Sequence, residues 1–348
     1  MNKGLSSLKV ILIIGFTYIM WNISNFFREN STSTEKKIAV ACVTDLHCND
    51  QIYPKIGVRV KELCETNDEV ILVVNGDIFT KYNPMYTATI DNIGMGEDLY
   101  AFHENHFLSP GGLADFFINL MGDNLKIGVV FNIGNHEVMF EYAHLLARFF
   151  KKIRDRVGER FQVVSNLKAK KPDVPMGYGE PRDGLVEFIK PSARLGQIIF
   201  VGYCTTRIFK NAFFKGKSLY GYGRDHFYGV EKTTEAHDQV FIDNIRNAVK
   251  NKMDSSVLFL LAHEGTRTFS DVWKKVEKDS QNKGNYLSTM EQRIIVTGHA
   301  HGQRNDDCGG MDEMVIVPGV FGQRIEVVEL SFLPMWGNLK KISRKKNS

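Results

Sequence analysis

Five short stretches of the chain place metal-binding or proton-carrying side chains directly after apolar runs. They are Thr44-Asp45-Leu46-His47, Asn75-Gly76-Asp77, Gly134-Asn135-His136-Glu137, Ala262-His263-Glu264 and Gly298-His299-Ala300-His301. Each has an ordinary reading: Asn135 can cap a helix, Gly-Asp is a common turn pair, and His-x-His alternates faces along a strand. Their joint occurrence at strand ends, in this order, is what singles them out. Two carboxylates, one amide oxygen and four imidazoles suit two divalent cations such as Mn, Fe or Zn. Calcium would ask for more oxygens and Cu(I) for sulfur. Two such ions about 4 Å apart can share a water and bring its pKa near neutral, and the residual positive charge of the site favours a phosphate over a neutral ester.

The elements that must position these residues alternate between strands and helices. Ile38 to Val43, Val70 to Val74, Ile127 to Phe131, Phe161 to Val164, Gln197 to Val201, Val257 to Leu261, Arg293 to Val296, Met314 to Val317 and Ile325 to Leu330 are short apolar runs. They have the length of strands, and their continuity predicts burial on both faces. Helical patterns cover Ile56 to Glu65, Glu137 to Val157 and Glu235 to Lys250. The result is an α/β layered fold with mixed sheet, in which ligands bind beyond the carboxyl ends of the strands. Two long segments, Phe79 to Gly112 and Thr205 to Lys232, break the rhythm and are expected to be functional or mobile loops.

From about Lys37 to Phe332 these motifs resemble the calcineurin-like metallophosphoesterase superfamily, and within it the catalytic domain of the 5′-nucleotidases. Softer echoes are Val163-Val164-Ser165-Asn166-Leu167 and Val317-Pro318-Gly319-Val320-Phe321-Gly322. The resemblance implies a four-layer α/β/β/α metallophosphoesterase sandwich of two mixed sheets flanked by helices. Carried over residue by residue, it puts Asp45, His47 and His301 on one metal ion, Asn135, His263 and His299 on a second, and Asp77 between them. His136 matches the family's non-ligand histidine, which stabilises charge on phosphorus and protonates the leaving oxygen. The implied reaction is hydrolysis of phosphomonoesters, nucleotides among them, by a bridging hydroxide attacking in line. Alternatives are a phosphodiesterase or nuclease on the same centre, or a non-catalytic surface binding protein.

Neighbouring families fit less well. Purple acid phosphatases keep a tyrosine where Thr80 stands and lack the histidine that stands here as His47, while the Gly76 to Lys81 stretch departs from the Gly-Asp-x-Val-Asp-Arg-Gly of protein Ser/Thr phosphatases. The 5′-nucleotidases follow their Gly-Asn-His-Glu with Phe-Asp, whose aspartate pairs with the catalytic histidine. Val138 and Met139 stand there instead, leaving Glu141 as the nearest substitute. No counterpart of their C-terminal nucleoside-binding domain follows, so nucleotide specificity is not implied.

Before the first strand, Lys3 and Lys9 precede a charge-free apolar run from Val10 to Phe27. It reads as a signal-anchor or signal peptide over residues 1–27, followed by a polar linker (28–36), the catalytic domain (37–332) and a basic tail (333–348). The flanking lysines put the domain outside the cytoplasm, at the periplasmic or extracellular face, anchored to a membrane or secreted. A net charge of +4 spread over 348 residues gives no case for a nucleic-acid partner, and the expected partner is a small phosphorylated substrate. Arg207, Lys215, Tyr222, Arg224 and Phe227 mix basic and aromatic types in a loop that should leave a strand near the site. They could hold phosphate and stack a base or headgroup, or the loop could pack over the core. His103 and His106 lack zinc-helix spacing and are expected to be surface or lid residues. Lys340 to Lys346 is expected to be solvated, with lipid headgroups as its alternative partner. Five cysteines sit at no metal-type spacing; an exported protein could hold a disulfide, and the spacing does not single out which cysteines would pair.

Overall fold

A computed structural model describes residues 35–79, 96–134, 137, 143–164, 192–195, 197–203, 234–250, 256–263, 266–298, 314–316, 324–333 and 339–346. Among the described residues, eleven strands form two mixed sheets. The first has the order β11-β10-β1-β2-β3-β4 and the second β5-β6-β7-β8-β9. In the first, β1 (Lys36–Val43), β2 (Glu69–Asn75), β3 (Ile127–Asn132) and β4 (Phe161–Val164) run parallel, while β10 (Glu326–Phe332) is antiparallel to β1. In the second, β6 (Ile198–Tyr203), β7 (Ser256–Ala262), β8 (Met290–Val296) and β9 (Met314–Ile316) run parallel and β5 (Ser192–Leu195) is antiparallel to β6.

The continuous apolar runs follow from the layering. On β1, Ala39, Ala41 and Val43 face the helices while Ile38, Val40 and Cys42 face the other sheet. On β7, Val257, Phe259 and Leu261 face the first sheet while Leu258, Leu260 and Ala262 face the helices behind it. With period-two alternation and both faces buried, every position must be apolar. The outer face of the first sheet is covered by α1 (Tyr53–Thr66), α2 (Gly96–Leu108), α3 (Leu113–Met121) and α4 (Ala143–Val157), and that of the second by α5 (Thr234–Lys250) and α6 (Thr266–Asn282). Three apolar layers therefore separate four layers of structure, the α/β/β/α sandwich expected from the motifs.

Several elements depart from the sequence reading. The break from Phe79 to Gly112 carries α2, and α3 follows it at once; α3, α6 and the four-residue β5 had no clear signal. The basic tail is corrected as well. Leu339–Lys346 is β11, hydrogen-bonded antiparallel along β10. Ile342 packs against the layer between the sheets, Lys340 pairs with Glu35 at 2.7 Å, and Arg344 Nε donates to Glu326 at 3.0 Å. Its charges are those of an edge strand protected against pairing with another chain. Among the described residues no helix is long and apolar enough to cross a membrane; the segment from Val10 to Phe27 lies outside them.

Candidate metal centre

The loops after β1 and β2 are built on each other. Beyond the last strand pair, Asp45 N donates to Gly76 O (3.1 Å), His47 N to Asp77 O (2.9 Å) and Cys48 N to Ile78 O (2.9 Å). Four non-glycine residues there, Asp45, His47, Cys48 and Asp77, have φ between 46° and 56°. That left-handed conformation costs about 1–3 kcal/mol per residue and is held only where surroundings impose it. It turns both aspartates inward: Asp45 is 1% and Asp77 0% exposed.

The two candidate-ligand imidazoles among the described residues, His47 and His263, are aimed by their Nδ1 atoms. His47 Nδ1 donates to Phe79 O at 2.9 Å, and His263 Nδ1 donates to Asn75 O at 2.6 Å. With Nδ1 committed to a carbonyl, Nε2 is the nitrogen that faces the cluster, the arrangement that orients a metal-ligating histidine. His47 Nε2 lies 3.8 Å from Asp45 Oδ1, and His263 Nε2 lies 3.0 Å from Asp77 Oδ2 and 3.8 Å from Asp45 Oδ1. Ligand atoms of Asp45, His47 and Asp77 all fall within 4.8 Å of one another. The first sheet supplies three of these residues and the second supplies His263, so the cluster bridges the two.

Its electrostatics suit a cation. Burial alone would lower the His263 imidazole, but the carboxylates of Asp77 and Asp45 outweigh it and hold the group up to about 10. A field that keeps a proton on a fully buried imidazole is one that a divalent cation can satisfy instead. Two buried carboxylates and two imidazoles with committed Nδ1 atoms fit Mn, Fe or Zn by donor chemistry.

Close backbone approach completes the frame. At Gly134 a Cβ would lie 2.3 Å from Asp77 Oδ1 and 2.5 Å from Asp77 N, and at Gly298 it would lie 2.9 Å from Asp45 Oδ2. Both turns need glycine because a candidate ligand occupies the space a side chain would take.

Glu137 is the residue whose role the sequence did not disclose. Its buried carboxylate accepts backbone N–H groups from Gly134 (2.6 Å), Asp77 (2.9 Å), Ile78 (2.7 Å) and Phe79 (3.1 Å). It thus holds the turn that presents Asp77 against the turn that follows β3. Burial, followed by the Asp77 charge, pushes Glu137 up to about 7 against the pull of these N–H groups. A glutamate three residues after Gly134, bonding back to its N–H, is half of a capping box, which was the available signal.

Asn135, His136, His299 and His301, with Arg207, Lys215, Tyr222, Arg224, Phe227 and Glu141, lie outside the described residues. The expectation for His103 is overturned. Its ring is 0% exposed and sits 4.7 Å from Phe79 and 5.9 Å from Phe107 between centroids. It is a core residue of α2, on the face that covers the Asp77 loop. The His106 side chain is 7% exposed and joins α2 to α1, with Nε2 2.8 Å from Tyr53 Oη and Nδ1 3.3 Å from Asp50. Cys42 and Cys64 are free thiols, and the Cys48 thiol donates to Ile78 O at 3.3 Å.

No family model matches the sequence, and no curated protein matches it. Solved structures do resemble the fold. A calcineurin-like phosphoesterase YfkN from Bacillus subtilis is 16% identical with a TM-score of 0.48, covering 90% of this chain and 91% of its own. NAD nucleotidase (NadN) of Haemophilus influenzae is 14% identical with a TM-score of 0.46, covering 90% of this chain and 50% of its own. Sulfate thiohydrolase SoxB of Thermus thermophilus is 12% identical with a TM-score of 0.45, covering 86% and 42%. The chain spans about half the length of NadN.

Proposed function

We propose that the chain is a metal-dependent phosphoesterase whose preferred substrates are small phosphomonoesters. The observation that carries this is the meeting of Asp45, His47, Asp77 and His263 from two sheets in one buried cluster, each imidazole aimed by a backbone carbonyl. Asn135, His299 and His301 would complete the proposed ligand set, with Asp77 shared between the two ions it would hold. When bound, the ions supply Lewis-acid charge and an acidified water. The chain contributes the rest. Buried carboxylates fix the spacing of charge, Glu137 holds the Asp77 turn, and His136 donates to the phosphoryl oxygens and then to the leaving oxygen. Arg207, Lys215, Tyr222, Arg224 and Phe227 would hold the remainder of the substrate. The N-terminal segment would tether the enzyme outside the cytoplasm.

Turnover of p-nitrophenyl phosphate and its bis ester, with Mn²⁺ and with a chelator, tests the reading. Monoester hydrolysis that is lost on chelation and restored by Mn²⁺ is expected. Faster turnover of the bis ester would make the enzyme a diesterase, and chelator-resistant hydrolysis would overturn the metal-dependent reading.

A further inference from the structure

The layer between the two sheets is largely apolar, and at its site end the amides of Asn75 and Asn132 are both 0% exposed. A buried amide is costly unless it is hydrogen-bonded, and the partners of these two cross from one sheet to the other. Asn75 Nδ2 donates to Val296 O of β8 at 3.0 Å, and Asn132 Nδ2 donates to Leu261 O of β7 at 3.1 Å and to Asn75 Oδ1 at 2.9 Å. The three acceptors fix both amides, since turning either one would set its oxygen against a carbonyl. On the far side a Cβ at Gly202 of β6 would lie 2.5 Å from Asn132 Oδ1, so a glycine there leaves the amide its place.

Each bond falls beside a candidate ligand. Asn75 precedes Asp77 by two residues, Leu261 precedes His263 by two, and Val296 precedes Gly298-His299 by two and three. The carbonyl of Asn75 itself accepts from Thr44 Oγ1 (3.0 Å), next to Asp45, and from His263 Nδ1 (2.6 Å). Apolar packing tolerates small slips between sheets, whereas metal–ligand distances tolerate only about 0.2 Å. A centre that takes ligands from both sheets needs something directional between them.

We infer that Asn75 and Asn132 form an amide clamp that sets the spacing between the two halves of the metal centre, which makes them positioning residues. The inference rests on the metal-centre reading given above. It accounts for two buried amides of the first sheet whose donors reach carbonyls of the second.

The test is Mn²⁺ binding by the full chain, followed by calorimetry and by paramagnetic resonance of the Mn²⁺–Mn²⁺ coupling. Asn132→Leu removes the donor at similar volume. Val130→Ala, in the same layer, costs packing without touching the network. Asn132→Leu should weaken Mn²⁺ binding by about 10–100-fold and reduce the coupling, while Val130→Ala lowers thermal stability and leaves both unchanged. If the leucine does not fold, Asn132→Ser, too short to span the gap, takes its place with the same expectation. A folded Asn132 variant that binds Mn²⁺ within about twofold of wild type would overturn the clamp and leave the metal centre standing. A wild-type chain that binds no Mn²⁺ would remove the metal-centre reading, and the clamp with it.

Discussion

Gly298→Ala adds one methyl group at the heart of the Asp45–His263 cluster. The new Cβ would lie 2.1 Å from Thr44 Oγ1, 2.9 Å from Asp45 Oδ2 and 3.1 Å from His263 Nδ1, against the 3.4 Å at which ordinary contact begins. Thr44 can rotate away, but its hydroxyl then gives up the bond to Asn75 O, at about 1 kcal/mol. Asp45 must move by about half an ångström, more than twice the tolerance of about 0.2 Å for a metal–ligand distance. Overpacking of this kind costs about 1–3 kcal/mol of stability, and ligand displacement should weaken metal binding by about 10–100-fold. Unfolding in denaturant gives the first quantity and Mn²⁺ titration calorimetry the second. Gly57→Ala on α1 is the control, since its nearest neighbour would be Phe116 at an ordinary 3.6 Å. It should stabilise by about 0.5–1 kcal/mol through helix propensity and leave Mn²⁺ binding unchanged. A folded Gly298→Ala protein with wild-type Mn²⁺ affinity would refute the placement of Asp45 and His263 in the centre.

Glu137→Ala leaves four backbone N–H groups without their acceptor. At about 1–3 kcal/mol each, less the relief of a buried charge and whatever water enters, it should destabilise by about 4 kcal/mol; denaturant unfolding within 1 kcal/mol of wild type, well below that figure of about 4, would contradict its role. His136→Ala should lower kcat by about 10²-fold or more with metal content unchanged, and equal turnover would remove His136 from the reaction. For His106, burial holds the imidazole below its ordinary 6.5 while Asp50 pulls the other way. The fold favours the neutral ring, so this stabilisation is complete above 6.5 and lost as pH falls through the lower folded value. His106→Gln should therefore lose less stability than wild type on acidification, and parallel stability–pH curves would show that the ring does not contribute.

The fold was legible where burial is two-sided. Ile38 to Val43 and Val257 to Leu261 are apolar at every position because one set of side chains meets helices and the other meets the opposite sheet. Elements at the margins were not. Only Leu339 and Ile342 of β11 are apolar, and α6 presents a narrow stripe of Val272, Trp273 and Val276 among charges. In the site, residue types at strand ends pointed to Asp45, His47, Asp77 and His263, and the structure places these four together. What the sequence could not disclose were partners far apart along the chain. Glu137 reaches Asp77 across 60 residues and Asn132 reaches Leu261 across 129. Asn132 falls just past the apolar run Ile127 to Phe131, and His103 read as a surface or lid residue, because burial of a polar group leaves no periodic trace.

Metal content by elemental analysis, for wild type and Asp77→Asn purified alike and loaded with Mn²⁺, tests the central claim most directly. Asp77 is 0% exposed, 3.0 Å from His263 Nε2 and grouped with Asp45 and His47, so replacing one charged oxygen by an amide should strip most of the metal from a chain that still folds. Wild type is expected to retain close to two ions per chain, and the variant well under one. Equal metal in the two proteins, or none in wild type, would contradict the account.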